Sequence, residues 1–546
     1  MNLDRCYFVL YANDIISYFE EINLTNYIIL NEQLAVVYVD ENFNIDSFNK
    51  SENVISVIKT NPMNSLIQIT NDLESGQSIE DASGIDYINN NPYINVDGKG
   101  VLIGILDSGI DYLNETFIYE NGESKIVSIW DQSKPTSGNV KFGEEISNTM
   151  INDAIKNNDN ILSIDEVGTG TIASSIVSNI CTESNLIVVK LKRYKDIYED
   201  EKISYNEGDF LAGIKYILDK AEELDLPLIL NLTCGTMSGS VEELNLLDTF
   251  TELSKPRVFV VGGAGNEGNT GIHFEGKLEK VNDTLDVVIE VGKIRDLDIL
   301  LEPRSIDKIS VQLISPSGEI SYIAYYKPQN IVYTGKFNTE DTNYLITYTY
   351  PDILSAKQKT MIRLEDAKPG VWTIRVISEF FMDGEFNLYL PNRALLDNET
   401  RFLDSNSIST TTTYSHGRNV ITVGVYDDKT DSMWLSSSKG SKSAIYIKPD
   451  IVASGVDIIS DFLNKTKNTS TGSGVSSSIT TGVLSIIIEY LITQSEFTRL
   501  TLFTEVIKTY LMLGADKKDI YNYPNLSQGY GILNLQNTIK EIADNL

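Results

Sequence analysis

The pattern of apolar and polar positions changes three times along the chain, which predicts four parts. The first part, residues 1 to about 80, has β-like apolar runs and one helical stretch (residues 6–11, 14–21 as the helix, 27–29, 34–39 and 66–69). Alternation with period two predicts strands, and a 3.6-residue period predicts a helix. We therefore predict a small α/β domain that ends in the polar stretch 72–91.

From Gly98 the chain alternates compact apolar strands with amphipathic helices. Strands are predicted at residues 101–106, 186–191, 228–233, 258–262, 419–425 and 447–452, and helices at 210–223, 241–253, 475–492, 501–513 and 532–546. Such alternation is typical of a mostly parallel sheet with helices on both faces. The predicted fold class is therefore α/β.

The helical period disappears between residues 271 and 405. β-like runs at 284–291, 308–314, 344–350 and 371–377 are separated there by turns rich in Asp, Asn, Gly and Pro. An all-β insertion explains this change. The domains are thus predicted at residues 1–80, 81–270, 271–405 and 406–546, with the second and fourth forming one α/β domain.

Charge narrows the possible partners. The 546 residues contain 44 Lys and Arg against 77 Asp and Glu, so the net charge is 44 − 77 = −33. Repulsion disfavours nucleic acid and anionic membranes as partners. The acidic segments 196–201 and 207–209 lack the alternating oxygen ligands of a calcium loop, which favours solvated charged loops. No metal and no cofactor is predicted.

Other features indicate a protein made in the cytosol without a membrane span. Cys6, Cys181 and Cys234 are scattered and odd in number, which favours buried thiols over disulfides or a zinc site. The N-terminus lacks the pattern of a secretory signal. The most apolar run, residues 483–492, contains Glu489 and is shorter than the ~20 residues that a bilayer requires, so we interpret it as a core helix.

Two predicted strands end in polar residues of types that act in catalysis. Asp107 ends the strand 101–106, and Asn266 follows the strand 258–262. Active sites collect at the carboxyl ends of parallel strands, where an amide can donate a hydrogen bond to a developing oxyanion. The segment from Gly263 to Gly268 also matches G-x-G-x-x-G. Because the chain then enters the β-rich insertion and not a helix, we do not predict nucleotide binding.

Six motifs resemble the subtilisin-like serine proteases, in the order found in that family. They are Asp107-Ser-Gly-Ile-Asp, Gly168-x-Gly170-Thr171, Ala264-Gly265-Asn266, Lys448-Pro-Asp-Ile-Val-Ala-Ser-Gly455, Gly472-x-x-Val-Ser-Ser-x-x-x-x-Gly482 and Gly529-Tyr-Gly531-Ile-Leu-Asn534. The resemblance implies a subtilisin-like sheet, a prodomain at the N-terminus and a β-rich jelly-roll insertion. In its insertion and in the lack of a secretion signal, the chain resembles the clostridial Csp subtilases, which act in spore germination.

Within that resemblance, two of three triad positions hold other residues. Asp107 matches the orienting aspartate and Asn266 the oxyanion amide, but Thr169 stands at the histidine position and Gly474 at the serine position. A threonine hydroxyl does not accept a proton at neutral pH, and glycine offers no nucleophile. In lacking both residues, the chain resembles the CspC-type pseudoproteases most closely.

Neighbouring residues do not replace the missing groups. Successive helix positions point about 100° apart, so the serines at 473 and 476–478 present no hydroxyl at the Gly474 position. The only histidines are His273 and His416, which we interpret as ordinary surface residues. Asp107 then has no imidazole to orient and is interpreted as a strand-end carboxylate that accepts hydrogen bonds, and Asn266 as a residue of the turn.

The leading hypothesis is a non-catalytic subtilase of spore germination, either a germinant sensor, a regulator of an active Csp protease, or both. The resemblance implies as partners an active Csp-type protease or another Csp pseudoprotease, a cortex hydrolase precursor and a bile-salt or amino-acid germinant. It also implies a spore location in the cortex or coat region. Two alternatives remain: a ligand-independent scaffold or assembly factor, and a protease with displaced catalytic residues. Without a nucleophile, residues 1 to about 80 should stay attached and cover the substrate groove.

Overall fold

Apolar residues at the N-terminus form a four-stranded antiparallel sheet in the computed structural model of the chain. The structure describes residues 5–40, 42–138, 140–194, 202–237, 239, 245–327, 331–493 and 501–545. The first elements are β1 (Arg5–Tyr11), α1 (Ile15–Glu21), β2 (Tyr27–Ile29), β3 (Leu34–Val39) and β4 (Val54–Lys59). Their sheet order is β2-β3-β1-β4, so β4 lies at an edge.

The chain then leaves this sheet as an extended segment. We call residues 60–69 the tail; it contains β5 (Pro62–Ser65) and β6 (Gln68–Ile69), and the short helices α2 (Ile79–Ser83) and α3 (Asp86–Asn89) follow. The predicted polar boundary at 72–91 therefore contains two helical turns. Ser78 caps the first of them by accepting a hydrogen bond from the Asp81 N–H.

The α/β region begins with a buried apolar strand. Its first half comprises β7 (Leu102–Asp107), β8 (Ile126–Asp131), β9 (Glu144–Ser147), α4 (Asn148–Asn157), α5 (Thr169–Ile180), β10 (Asn185–Lys190), β11 (Tyr205–Asn206), α6 (Glu207–Leu224), β12 (Leu228–Leu232), β13 (Cys234–Gly235) and β14 (Val258–Gly263). The sequence pattern did not predict β8, β9 or α4.

An antiparallel β-sandwich follows. Its strands are β15 (His273–Lys277), β16 (Thr284–Val291), β17 (Asp296–Pro303), β18 (Lys308–Ile314), β19 (Val332–Phe337), β20 (Thr342–Thr349), β21 (Lys359–Glu365), β22 (Gly370–Phe380), β23 (Glu385–Tyr389) and β24 (Arg401–Phe402). One sheet has the order β15-β23-β17-β21-β20-β19 and the other β18-β22-β16-β24. Residues of both sheets share one hydrophobic core, so the predicted all-β insertion is observed.

The second half of the α/β region completes the central sheet. It comprises β25 (Val420–Asp427), β26 (Ser432–Met433), β27 (Ile451–Ser454), β28 (Ile458–Asp461), β29 (Lys467–Thr471), α7 (Ser473–Thr493), α8 (Thr504–Gly514) and α9 (Leu535–Asp544). The central sheet has the order β26-β25-β14-β12-β7-β10-β8-β9, with β27 beside β25. Its inner strands pair in parallel, and β9 and β26 pair antiparallel at the edges.

Both faces of the central sheet are covered, because successive residues of each strand point to opposite sides. Along β7, Ile103 and Ile105 enter the core that α5 and α7 share, whereas Leu102 and Leu106 enter the core formed with α6. The N-terminal sheet packs on this second side, since Phe8 and Val36 belong to the same core. The predicted architecture is therefore observed.

The helix α7 passes through the centre of this core. Within the described residues it is the one helix whose length and hydropathy suffice to cross a membrane, and 89% of its most apolar window is buried inside the protein. Its carboxylate at Glu489 accepts hydrogen bonds from three backbone N–H groups, at Asp97, Gly98 and Lys99. Glu489 thus interrupts the apolar run because its carboxylate holds the loop at residues 97–99.

One predicted helix was wrong in the part that the structure describes. Residues 241–244 of the predicted helix 241–253 lie outside the described residues, and the remainder forms two short 3₁₀ turns, Leu246–Thr249 and Thr251–Ser254. Asn245 and Asp248 cap each other, and the extended backbone at Phe250 ends the first turn. Local capping therefore overrides the helical pattern.

Candidate functional site

Four residues that the sequence predicted as site positions meet at one edge of the central sheet. Asp107 ends β7, Thr169 is the first residue of α5, and Gly474 lies in the first turn of α7. Asn266 follows β14, and its Oδ1 accepts a hydrogen bond from the Ser473 N–H at 2.9 Å. Since the carboxyl ends of parallel strands lie along one edge, this convergence follows from the topology.

Asp107 is fully buried, and four donors satisfy its carboxylate. Oδ1 accepts from the Thr169 hydroxyl at 2.5 Å and from the Ser108 N–H at 2.8 Å. Oδ2 accepts from the Thr233 hydroxyl at 2.6 Å and from the Ser65 hydroxyl at 3.0 Å. Burial raises the pKa of Asp107, and the hydrogen bonds from Thr169, Thr233 and Ser108 oppose that rise.

Thr169 is the residue of α5 that contacts Asp107. Its hydroxyl donates to the carboxylate and lies 3.1 Å from the Ser108 Oγ. The donors to Asp107 are hydroxyls and one backbone N–H, and no histidine is among them. The arrangement holds a buried carboxylate in place without a group that accepts a proton at neutral pH.

The tail runs through the groove above these residues as an added strand. β5 pairs antiparallel with β13 on one side and with β11 on the other. The Leu66 N–H donates to the Thr233 carbonyl at 2.7 Å. Binding of an extended peptide by strand addition is a common recognition mode, and here the peptide belongs to the same chain.

The Leu66 carbonyl lies between two of the predicted site residues, Asn266 and Gly474. Its oxygen accepts from the Asn266 Nδ2 at 3.0 Å and from the Gly474 N–H at 3.1 Å. Two converging donors of this kind form an oxyanion hole in acyl-transfer sites. Asn266 thus makes the contact expected of an oxyanion amide as well as shaping its turn.

Gly474 lies directly against the bond that follows this carbonyl. A Cβ added there would lie 3.1 Å from the Leu66 carbonyl carbon and 2.7 Å from the Ile67 Cγ1. A side chain at 474 would therefore face the Leu66–Ile67 peptide bond. Glycine itself offers no nucleophile at this position.

The neighbouring serines make other contacts, as helix geometry predicts. The Ser473 Oγ accepts from the Gly265 N–H, and the Ser476 hydroxyl donates to the Ala453 carbonyl. The Ser477 and Ser478 hydroxyls donate to the Asn231 Oδ1 and the Gly474 carbonyl. Their hydroxyls are thus directed away from the tail.

The β-sandwich also holds the tail in the groove. Beyond β23, the Asn392 Nδ2 donates to the Asn64 Oδ1 at 2.6 Å and to the Gly235 carbonyl at 3.0 Å. Met63, Asn64, Leu66 and Ile67 are all buried. The tail is therefore enclosed by parts of the chain on both sides of residue 271.

The acidic pair at the start of α6 is buried, so its prediction as a solvated loop was wrong. The Glu207 carboxylate accepts from the Tyr414 hydroxyl at 2.5 Å and from the backbone N–H and Nδ2 of Asn61, both at 2.9 Å. Asp209 lies 3.4 Å from the Lys192 Nζ. These carboxylates tie the helix to the start of the tail and to a lysine. The other acidic segment, 196–201, lies outside the described residues.

Both histidines are buried, so their prediction as surface residues was wrong. The His273 Nε2 lies 2.9 Å from the Asn387 Oδ1, and its ring stacks on Tyr389 inside the β-sandwich. His416 is 8% exposed, in the turn before β25. Positions at the start of the insertion and in a turn suggested exposure, but tertiary packing covers both rings.

Three further observations concern metal ligands, the glycine motif and the cysteines. Among the described residues, no group of three or more His, Cys, Asp or Glu side chains is placed to hold a metal ion. The glycine motif at 263–268 leads from β14 into β15, so it lacks the helix that a dinucleotide site needs. Cys6, Cys181 and Cys234 are buried free thiols.

The sequence did not identify three residues that complete the site. Thr233 was predicted only as the end of a strand and Leu66 only as the start of an apolar run, and Ser65 lay in no predicted element. Their contacts join positions 42 to 408 residues apart, and no local pattern signals such pairing. The order of the motifs was the only available guide to the groove itself.

Glu267, next to Asn266, provides a pH-dependent test of this region. Its buried carboxyl accepts from the Thr270 hydroxyl at 2.7 Å and the Arg393 N–H at 3.1 Å. Burial raises its pKa from an ordinary 4.5 to about 7. Its contribution to stability is therefore complete below pH 4.5 and is lost as pH rises through 7. We expect Glu267→Gln to raise the melting temperature at pH 8 and to change it little at pH 5.

The size of this effect follows from the pKa difference. A rise of 7 − 4.5 = 2.5 corresponds to about 3 kcal/mol at most. Thermal unfolding at both pH values measures it, with the exposed Glu279→Gln as the control. Equal shifts of the Glu267 variant at pH 5 and pH 8 would contradict the raised pKa.

Comparison with known proteins agrees with this geometry. Residues 397–531 match the subtilase family (Peptidase_S8). No curated protein sequence matches the chain. Among solved structures, the CspB protease of Clostridium perfringens is similar: 26% of residues are identical and the TM-score is 0.74, over 85% of this chain and 97% of that chain.

A more distant structure shares the fold. Fervidolysin from Fervidobacterium pennivorans, a keratinolytic enzyme related to subtilisin, has 10% identity and a TM-score of 0.51, over 98% of this chain and 61% of that chain. These similarities confirm the predicted subtilisin-like α/β fold. The family match thus covers residues 397–531, and the structure of most of the chain is similar to that of the CspB protease.

Proposed function

We propose that this protein is a subtilisin-like pseudoprotease that acts in spore germination by binding and not by peptide cleavage. In this role it senses a small-molecule germinant, regulates an active Csp-type protease, or does both. The observation that carries the proposal is the tail: the Leu66 carbonyl lies between Asn266 and Gly474, and the glycine that faces it offers no nucleophile. A structural relationship to CspB supports the link to the Csp group.

The chemistry of the two substituted positions supports the absence of proteolysis. In subtilisin, loss of the nucleophile or of the base alone lowers kcat by about 10⁶. What remains, from binding and the oxyanion hole, is only about 10³–10⁴ over the reaction in water. Thr169 and Gly474 lack both functions, so peptide hydrolysis at a useful rate is not expected.

The tail fills the groove, which supports a role that does not require a substrate peptide to bind there. Because the tail is buried and pairs with β11 and β13, a substrate peptide cannot join these two strands while the tail is in place. Recognition of partners must therefore use other surfaces. We place the protein in the cortex or coat region of the spore, with a Csp protease, another Csp pseudoprotease or a cortex hydrolase precursor as its partner.

A ligand titration of the purified full-length protein tests the sensor role. We expect a saturable rise in melting temperature with at least one bile salt or amino acid, because a ligand that binds only the folded state stabilises it by about 2.7 kcal/mol at 100 times Kd. Sodium chloride at the same ionic strength is the control. If no germinant shifts the melting temperature, the sensor role is wrong.

A binding experiment separates the regulator from the scaffold. Stoichiometric capture of a Csp protease or hydrolase precursor that does not change when germinant is added would favour the ligand-independent scaffold. Capture that changes with germinant would favour a sensor that regulates its partner. Absence of capture under both conditions would contradict both of these roles.

A further inference from the structure

A cavity of about 440 Å³ lies where the N-terminal sheet, the α/β core and the β-sandwich meet. Its first wall is the edge strand β4 with the start of the tail, its second wall belongs to the core, and its third wall is one sheet of the sandwich. Small-molecule sites commonly have volumes of about 300–1,000 Å³ and lie at domain boundaries. The size and the place of the cavity therefore suit a small ligand.

The sandwich wall consists of three strands whose central row of side chains is uncharged. Leu300 of β17 lies opposite Met361 of β21, and Met361 in turn lies opposite Thr347 of β20. Opposite residues of antiparallel strands project to the same face of a sheet, and these three side chains line the cavity. We call this row the strip; it is a mainly apolar surface that crosses the wall.

The other two walls face the cavity with apolar side chains as well. Ile58 of β4 lines it from the N-terminal sheet, and Met237 and Leu246 line it from the core. A ligand that lies on the strip is therefore enclosed by apolar groups from three parts of the chain. Removal of apolar surface from water is the main favourable term for binding in such an enclosure.

The charged side chains on both borders of the strip already have partners. On one border the Arg363 Nε and Nη2 donate to the two Asp298 oxygens at 2.7 and 2.6 Å, which is a bidentate pair. On the other border the Lys359 Nζ lies 3.8 Å from the Glu302 Oε1, and both residues make further interactions. Neither border thus offers an unpaired charge to a ligand.

The remaining carboxylates of the lining are also satisfied. Glu207 accepts three hydrogen bonds, and Asp352 accepts from the backbone N–H groups of Leu354 and Ser355. With the exposed Lys59, the described part of the lining holds four carboxylates and three cations. A charged ligand would lose its hydration there without gaining an unpaired counter-charge, which costs free energy. An uncharged ligand avoids this cost.

We propose that this cavity binds an uncharged, predominantly apolar small molecule. Its body lies on Leu300 and Met361 and is covered by Ile58 and Met237. The proposal goes beyond the sensor role and does not depend on it, because bile salts and amino acids carry charges. A ligand in the cavity touches the N-terminal sheet, the core and the sandwich together, so its binding strengthens their association.

The cavity also adjoins the groove. Asn61 and Pro62 line it at the start of the tail, and Asn392, which hydrogen-bonds Asn64, lines it from the sandwich side. A bound ligand therefore contacts the start of the tail and a residue that holds β5 in the groove. Occupancy of the cavity is expected to stabilise the docked tail.

A fluorescence titration of the full-length protein with the uncharged probe N-phenyl-1-naphthylamine tests the site. We expect saturable binding of one probe molecule per chain. Three competitors with the same ten-carbon chain then test the preference for an uncharged ligand: 1-decanol, decanoate and decylammonium, each below its micelle concentration. The alcohol should displace the probe at a concentration at least tenfold lower than either ion, because only the ions lose the hydration of a charge.

Two substitutions locate the bound probe. Thr347→Trp fills the cavity from β20, and Met361→Lys places a charge in the strip on a side chain of similar length. Each should weaken binding of the uncharged probe at least tenfold. The melting temperatures without probe show whether each variant is folded.

Two matched variants control for general effects. Thr373→Trp changes a half-buried threonine on the outer face of the other sheet of the sandwich, since its neighbours Trp372 and Ile374 face the sandwich core. Met382→Lys adds the same charge at an exposed methionine. Both variants should bind the probe as the wild type does.

The outcomes judge this site separately from the sensor role. If the uncharged probe does not bind saturably, or if either cavity variant binds it as the wild type does, the cavity assignment is wrong. If decanoate or decylammonium displaces the probe as well as decanol does, the preference for an uncharged ligand is wrong. The sensor role is decided independently, by the shift of the melting temperature with bile salts and amino acids.

Discussion

Purified wild-type protein is expected to remain a single chain of 60.9 kDa, whereas Thr169→His/Gly474→Ser is expected to cleave itself partially between Leu66 and Ile67. The Leu66 carbonyl already lies between the two oxyanion donors. A serine at 474 would place its Cβ 3.1 Å from the carbonyl carbon, so the nucleophile and the bond are close before any reaction. Mass spectrometry of the products identifies the cleaved bond.

Two features of the site limit the expected recovery. The same Cβ would lie 2.7 Å from the Ile67 Cγ1, so the tail has to shift before a serine fits. The Ser65 hydroxyl also bonds the Asp107 carboxylate that the new histidine needs. Supporting contacts drift once catalysis is lost, and misplacement by 1 Å lowers rates strongly.

The single variants are the matched controls for this experiment. Thr169→His lacks a nucleophile and Gly474→Ser lacks a base, so each should stay intact, about 10⁶ slower than a complete triad. Cleavage of the wild-type chain at Leu66–Ile67 would show that displaced residues perform catalysis. A fully intact double variant would mean that the site no longer supports triad geometry.

Leu66→Asp is expected to release the tail from the groove. Leu66 is 1% exposed, and its Cδ1 packs over Gly235. Burying an unpaired carboxylate there costs more than about 4 kcal/mol, which exceeds the effect of most single substitutions. The tail should undock, so that the buried residues after Lys59 become accessible.

Limited proteolysis with trypsin measures this release, since trypsin cleaves after lysine. The wild type should resist cleavage at Lys59, and Leu66→Asp should be cleaved there rapidly with a lower melting temperature. Gln68→Asp, an exposed site two residues along the same tail, is the control and should behave as the wild type. Equal resistance of Leu66→Asp would mean that the tail is not held through this side chain.

Much of the fold could be predicted because its strands are buried on both faces. The run from Val101 to Leu106 is continuously apolar, and it forms β7 within one residue of the predicted bounds. The N-terminal helix began one residue late, at Ile15, because Asp14 serves as its cap. The strands β8 and β9 were missed because polar residues interrupt their short runs.

The site could be predicted in part from the order of the sequence motifs and not from the apolar pattern. Asp107, Thr169, Asn266 and Gly474 were found through motif order, which reports relatedness and not contact. Ser65 and Leu66 could not be found, because their partners lie in other domains. Burial of Glu207 was missed since its three donors come from Asn61 and Tyr414, far away in the chain.

The position of the tail also determines when its contacts can form during synthesis. The oxyanion contact joins Leu66 to Gly474, which are 474 − 66 = 408 residues apart. At about 5–20 residues per second, the ribosome needs roughly 20–80 s between them. During that interval the N-terminal sheet and the strands β11 and β13 can already be folded, while the Leu66 carbonyl still lacks its contact with Gly474. Docking of the tail is therefore completed late, and its apolar residues must be kept from aggregating until α7 emerges.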